Sequence, residues 1–209
     1  SKNFMKQELL IGITESGVMH TDADPPIPLE TKFQMVKESG VYDYFDKTPP
    51  LELEDDYRRC SEKYELPILA GGWFYVLGRD EDLLMENLRL GARLGSLVHN
   101  TQIMMDHQDG SLVSDEQVVE IYLRAYETGE ACGCRPTFEV HVNMWSEDFR
   151  RIEKVADVVE KQGIPFRMTL DHSHVIFKID NPREQEVFNI RESIENGDLI
   201  LDPFQDNHV

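Results

Sequence analysis

Apolar positions along the chain alternate between short continuous runs and stretches with a period of three to four. "LLIGIT" (9–14) is a strand pattern, and "LETKFQMVKES" (29–39) is an amphipathic helix stopped by Gly40. "VYDYF" (41–45) predicts a second strand. The next helix spans 52–65, with Leu53, Tyr57, Cys60 and Tyr64 on one face. "PILAGGWFYVLG" (67–78) predicts a third strand with a glycine-rich exit, and 80–95 a helix with acids in its first turn. A strand over 96–104 and a helix over 114–129 capped by Ser114 follow. The fifth strand is predicted over 137–144. After it comes a helix over 146–163, capped by Ser146, with Phe149, Ile152, Val155 and Val159 in one stripe. The sixth strand, "IPFRMTLDHSHVIF" (164–177), precedes a last helix over 183–196 that ends at Gly197.

Six strand–helix units at roughly thirty-residue spacing predict a parallel sheet with crossover helices. Either a doubly wound sheet or a (β/α)₈ barrel satisfies that rhythm. "GITESGVMH" lacks the G-x-G-x-x-G spacing of a dinucleotide-binding first turn. The α/β reading is therefore a TIM (β/α)₈-type barrel, one domain over 1–209. Such barrels usually need about 250 residues. Six visible units imply an incomplete barrel, cut before strands seven and eight. Its open edges lead us to expect a longer native polypeptide, or completion by a partner or a second copy in a homo-oligomer.

Strands five and six carry polar groups where a core strand carries aliphatics. Side chains alternate across a strand, so Phe138, Val140, Val142 and Met144 share one face, opposite Thr137, Glu139, His141 and Asn143. In the sixth, Arg167, Thr169 and Asp171 oppose Phe166, Met168 and Leu170. The apolar faces suit helices, and the polar faces then point inward. This places Glu139 and Asp171 near the carboxyl ends of adjacent strands, where catalytic groups of barrels sit. Two inward carboxylates repel unless something positive lies between them. A divalent cation with oxygen and imidazole ligands is one solution, and an internal ion pair with Arg167 is the other.

"FEVHVN" followed by "LDHSHV" resembles strands five and six of the xylose isomerase-like barrel superfamily, which holds sugar isomerases and epimerases and an apurinic-endonuclease branch. The resemblance is strongest over 134–180. It implies a divalent metal (Mn²⁺, Mg²⁺, Co²⁺ or Zn²⁺) with Glu139, Asp171 and His174 as ligands. Glu139 would serve also as a base, and His174 as a ligand or substrate contact. The family's His on strand seven and Glu on strand eight have no counterpart in 209 residues. The activity implied is a metal-dependent isomerase or epimerase of a sugar, polyol or related hydroxy-carbonyl compound. Such chemistry moves a proton beside a carbonyl. Alternatives are a non-catalytic or partner-completed subunit, or lyase or phosphodiesterase chemistry on the same scaffold.

Other polar residues have two readings each. His141 is a substrate contact or a satisfied core histidine. His99 and Asn100 line the pocket or belong to an ordinary loop. Trp73 is a platform for a sugar face or a rim aromatic covering the core. His172 falls on the outward face, and Glu15 and His20 follow strand one.

Charge narrows the partners. With 21 Lys and Arg against 40 Asp and Glu, the net charge is −19. That balance opposes nucleic acid and anionic lipid, both of which are gripped by clustered cations. No apolar run approaches the roughly 20 residues needed to span a bilayer. Three cysteines without zinc-like spacing suit a reducing cytoplasm. The expected partner is a small carbohydrate-like molecule.

Overall fold

The computed structural model describes residues 9–18 and 24–175, together with Glu192, Glu195 and Asn196. His20, His208 and nearly all of the helix expected over 183–196 lie outside the described residues.

Six strands form one sheet in chain order: β1 Gly12–Thr14, β2 Tyr44–Asp46, β3 Ile68–Tyr75, β4 Val98–Ile103, β5 Arg135–Glu139 and β6 Met168–Thr169. The β1/β2, β2/β3 and β5/β6 pairs are parallel. Between them run α1 Leu29–Ser39, α2 Glu54–Lys63, α3 Glu81–Leu94, α4 Asp115–Cys132 and α5 Phe149–Glu160, and α6 His172–Val175 follows β6. This is the repeating βα order of a TIM-type barrel, with six strands among the described residues. No described helix is long and apolar enough to cross a membrane.

The chain divides into two compact units. The first comprises Ser1–Trp73, Met85–His99 and Glu127–Arg135. Its core joins Phe33 and Val36 of α1, Phe45 of β2, Tyr57 and Cys60 of α2, and Ile68 of β3. Phe33 stacks on Phe45 with centroids 4.3 Å apart, and Tyr57 meets Phe33 edge-on. α1 stops where Gly40 enters the left-handed region at φ 66°, which glycine adopts without steric cost.

Glu15, just after β1, ties this unit together. Its carboxylate accepts from Lys32 Nζ at 3.0 Å and Tyr57 Oη at 2.7 Å, and pairs with Lys47 Nζ at 2.9 Å. Burial opposes its charge, but the Tyr57, Lys47 and Lys32 hydrogen bonds outweigh it and hold the carboxyl below its usual range. Its stabilisation is therefore present above the normal carboxyl range and is lost as pH falls through the depressed value. Replacing it as Glu15→Gln should cost about 1.5–3 kcal/mol, the worth of a hydrogen bond to a charged group. Urea unfolding at pH 7 measures this, and an unchanged midpoint would refute it.

The second unit comprises Phe74–Leu84, Asn100–Tyr126 and Pro136–Val209. Its core is aromatic. Tyr122 of α4 packs on Phe138 of β5 and on Phe166, with centroids 5.0 and 4.7 Å apart, and Phe138 meets Trp145 edge-on. The Tyr122 hydroxyl donates to Pro165 O and accepts from Arg167 N, which anchors the approach to β6.

Three elements differ from expectation. β5 ends at Glu139 rather than 144, because the chain turns at Val142–Asn143, where Asn143 takes φ 59°. Asn is among the few residues that tolerate this conformation. Ser146 does not cap α5; Asp148 does, accepting from Arg150 N at 3.0 Å. The Ser146 hydroxyl instead donates to Glu139 O at 2.5 Å and accepts from His141 N at 3.2 Å, sealing the end of β5. The sixth strand, expected over 164–177, is Met168–Thr169 among the described residues. Asp171 starts a helical turn there, with its side chain accepting from Ser173 N at 2.9 Å.

Candidate metal centre

β5 and β6 pair with Phe138 opposite Met168 and Glu139 opposite Thr169. Phe138 goes into the aromatic core, so the strand period turns Glu139 to the other face. Thr137 shares that face and bonds Thr169 through their hydroxyls at 2.6 Å. Glu139 is 5% exposed. A buried carboxylate needs donors or a cation. Two donors come from β4: Asn100 Nδ2 reaches Glu139 Oε2 at 2.6 Å, and Gln102 Nε2 reaches the same oxygen at 2.5 Å.

His141 lies just beyond the end of β5. Its Nδ1 is 2.6 Å from Val142 O, and a carbonyl can only accept, so Nδ1 carries the proton and Nε2 is left as a lone-pair donor. The turn at Asn143 and the α6 turn bring His141 against His174, with ring centroids 3.6 Å apart at 39°. One ligand atom from each of Glu139, His141 and His174 lies within 4.8 Å of the other two.

His174 sits one helical turn after Asp171, with Nε2 3.5 Å from Asp171 Oδ2. Burial is the main cause that lowers its pKa, and His141 adds to it, while Asp171 and Glu139 oppose. At neutral pH the ring is thus the neutral form that binds metals. Burial opposes ionisation of Asp171, yet the Ser173 hydroxyl and amide, with His174 and Glu139, hold its carboxyl below the usual range. The Ser173 hydroxyl is 2.6 Å from Asp171 Oδ1.

The cluster that the structure brings together includes two of the three expected ligands, Glu139 and His174, with His141 as its third member. Asp171, expected as a ligand, stands beside the group in contact with His174. His141, read as a substrate contact or core histidine, is inside it. The strand reading of 164–177 hid this, because a helical turn rather than a strand carries His174 to His141. The Arg167 guanidinium lies over the Tyr126 ring at 5.5 Å, and Asp171 is held by Ser173 and His174. His172 is exposed.

Two further expectations fall in the first unit. His99 is on β4, but on the face opposite Asn100 and Gln102, in the buried set of His99, Thr101 and Ile103. Its Nδ1 is 3.3 Å from Thr48 Oγ1, and burial drives its pKa down to about 3. That is the environment of a neutral core histidine. Trp73 lies within β3 and is 44% exposed. Sequence reasoning missed Gln102 altogether, and its signal was available: Asn100 and Gln102 are alternate amides in a strand otherwise suited to aliphatics.

A carboxylate and two imidazoles, one with its second nitrogen bonded to a carbonyl, form a donor set that suits a borderline divalent ion such as Zn²⁺, Mn²⁺ or Co²⁺. The residues therefore fit the metal that the sequence resemblance implies.

No protein-family model matches the sequence, and neither does any curated protein. Solved structures do match. 3-Keto-D-glucoside 4-epimerase from E. coli superposes with a TM-score of 0.60 at 13% identity, covering 92% of this chain and 76% of that one. The family 2 AP endonuclease of Brucella melitensis gives 0.55 at 11% identity, covering 89% of each chain. The IOLI protein, solved with a bound zinc atom, gives 0.54 at 14% identity, covering 76% of this chain and 62% of that one. At these identities the likeness shows a shared fold, a TIM-type barrel.

Proposed function

We propose that this chain carries a divalent-metal site of an isomerase or epimerase acting on a sugar or related hydroxy-carbonyl compound. The observation that carries the reading is the convergence of Glu139, His141 and His174 within 4.8 Å. The fold it shares with an epimerase and with a zinc-binding protein supports it. When bound, the ion supplies positive charge against the negative charge that develops on a carbonyl oxygen.

The chain's own residues do the rest. Glu139, His141 and His174 would hold the ion. Asp171 stands outside those three and is the carboxylate left to take a proton from the carbon beside the carbonyl. Its depressed pKa keeps it ionised and ready, at some loss of basicity. Ser173 holds its Oδ1 in place, and His174 stands against Oδ2.

The test is exchange of the substrate α-hydrogen in D₂O, followed by NMR over ketoses, aldoses and keto-glycosides with Mn²⁺ or Zn²⁺ present. Exchange that requires the ion and stops with chelator is expected. Exchange indifferent to chelator, or none across the panel, would contradict the reading. In the same assay Asp171→Asn should slow exchange by about 10²-fold or more, the usual worth of a general base. Its metal affinity should fall by no more than about tenfold, the lower end for a group that orients a ligand. A large loss of affinity with exchange preserved would return Asp171 to the ligand set.

The AP endonuclease fold match favours a second reading, metal-assisted phosphodiester hydrolysis. The net charge of −19 stands against it, because nucleic acid binding rests on neutralising phosphates with Lys and Arg.

A further inference from the structure

Glu139 receives two amide donors at one oxygen. Asn100 and Gln102 are two residues apart on β4, so both amides leave the same face of the strand and converge on Oε2. Packing does not require this pair. Asn100 Oδ1 is buried without a hydrogen-bond partner among the described residues. Leaving a buried acceptor unpaired costs about 1–3 kcal/mol. Val or Thr at position 100 would suit a strand better. An arrangement that costs stability while directing two donors at one carboxylate oxygen points to a role at that carboxylate.

We propose that Asn100 and Gln102 are positioning residues that hold Glu139 as a one-oxygen ligand. Two N–H donors occupy Oε2, which leaves Oε1 as the atom offered toward His141 and His174. Without them the carboxylate is free to rotate or to grip an ion through both oxygens. Outer partners that orient a ligand act in this way at metal sites generally. The assignment rests on the metal reading proposed above.

Isothermal titration of the full chain with MnCl₂ at one fixed pH tests it, with melting temperatures recorded without metal. Gln102→Met keeps the side-chain length and removes the donor. Asn100→Leu removes the other donor and the unpaired acceptor together. Each should weaken Mn²⁺ binding by about 10–100-fold. Thr101→Val, on the opposite face of β4, serves as the control for a perturbed strand; its Kd should stay within about twofold of wild type whatever its melting temperature does. Asn100→Leu should melt no lower than Gln102→Met, since it also removes a buried unpaired acceptor. Wild-type binding with an unchanged Kd in both amide variants would overturn this assignment alone. No Mn²⁺ binding by the wild type would overturn the metal reading and this assignment with it.

Discussion

Lowering the pH from 7 to 5 should cost the fold about 2 kcal/mol at His99 alone. An unfolded histidine titrates near 6.5, and burial drives His99 in the native state down to about 3. Between those values the unfolded chain binds a proton that the folded chain refuses. Stability therefore rises with pH through that window, is fully present above about 6.5, and is lost progressively below it. At pH 5 the unfolded state has gained about 1.5 pH units' worth of protonation energy, or about 2 kcal/mol at about 1.36 kcal/mol per unit. Its Nδ1 lies 3.3 Å from Thr48 Oγ1, and burial is what disfavours the charged ring. Replacing it as His99→Gln should lower stability at pH 7 and flatten the slope between pH 6.5 and 5 by about one proton. Urea unfolding of both proteins across that range reads the slope directly. Equal slopes would show that His99 accepts a proton in the folded state.

Phe138→Ala should be the most damaging single truncation in the second unit, at about 3–5 kcal/mol. Phe138 is fully buried and touches the rings of Tyr122, Trp145 and Phe166. Those three come from α4, from the turn after β5 and from the approach to β6, so one cavity loosens three elements. Phe138 is also the neighbour of Glu139, and its N–H donates to Arg167 O at 3.0 Å. The variant should lose metal affinity along with stability, since the strand that presents Glu139 is no longer pinned on its apolar face. A loss below about 1 kcal/mol would mean that the neighbouring rings collapse into the space, which the close-packed aromatic cluster argues against.

Much of this architecture was legible as periodicity. The helix expected over 29–39 is α1 to the residue, and α3, α4 and β4 fall within a few residues of their expected ends. Apolar spacing is a local signal, and these elements obey it. Ser114 caps α4 as expected, accepting from Gln117 N while the Gln117 side chain reaches back to Ser114 N. The sequence was least informative where polar side chains redirect the backbone. "DHSH" alternates no worse than a strand does, yet Asp171 captures the Ser173 amide and starts a turn. The fifth strand reads as continuous to Met144, yet Asn143 and Ser146 end it at Glu139.

The site shows the same division. Glu139 and His174 could be read from strand alternation and motif, and the structure brings them together. His141 was read on the inward face as a substrate contact or a core histidine; its contact with His174 depends on the α6 turn. His99 lies on the buried face of β4, opposite Asn100. A histidine beside Asn100 reads as a pocket residue, but one step along a strand is a change of face. Gln102 belongs to no motif, and only its two-residue spacing from Asn100 on one strand face marked it.

Co²⁺ titration monitored by visible absorption tests the central claim most directly, because the d–d bands report the ligands that hold the ion. The account predicts a band that saturates at one ion per chain in the wild type and is lost in His141→Ala, which removes one of the three proposed ligands. No band in the wild type, or the same band in both proteins, would contradict a site built from Glu139, His141 and His174.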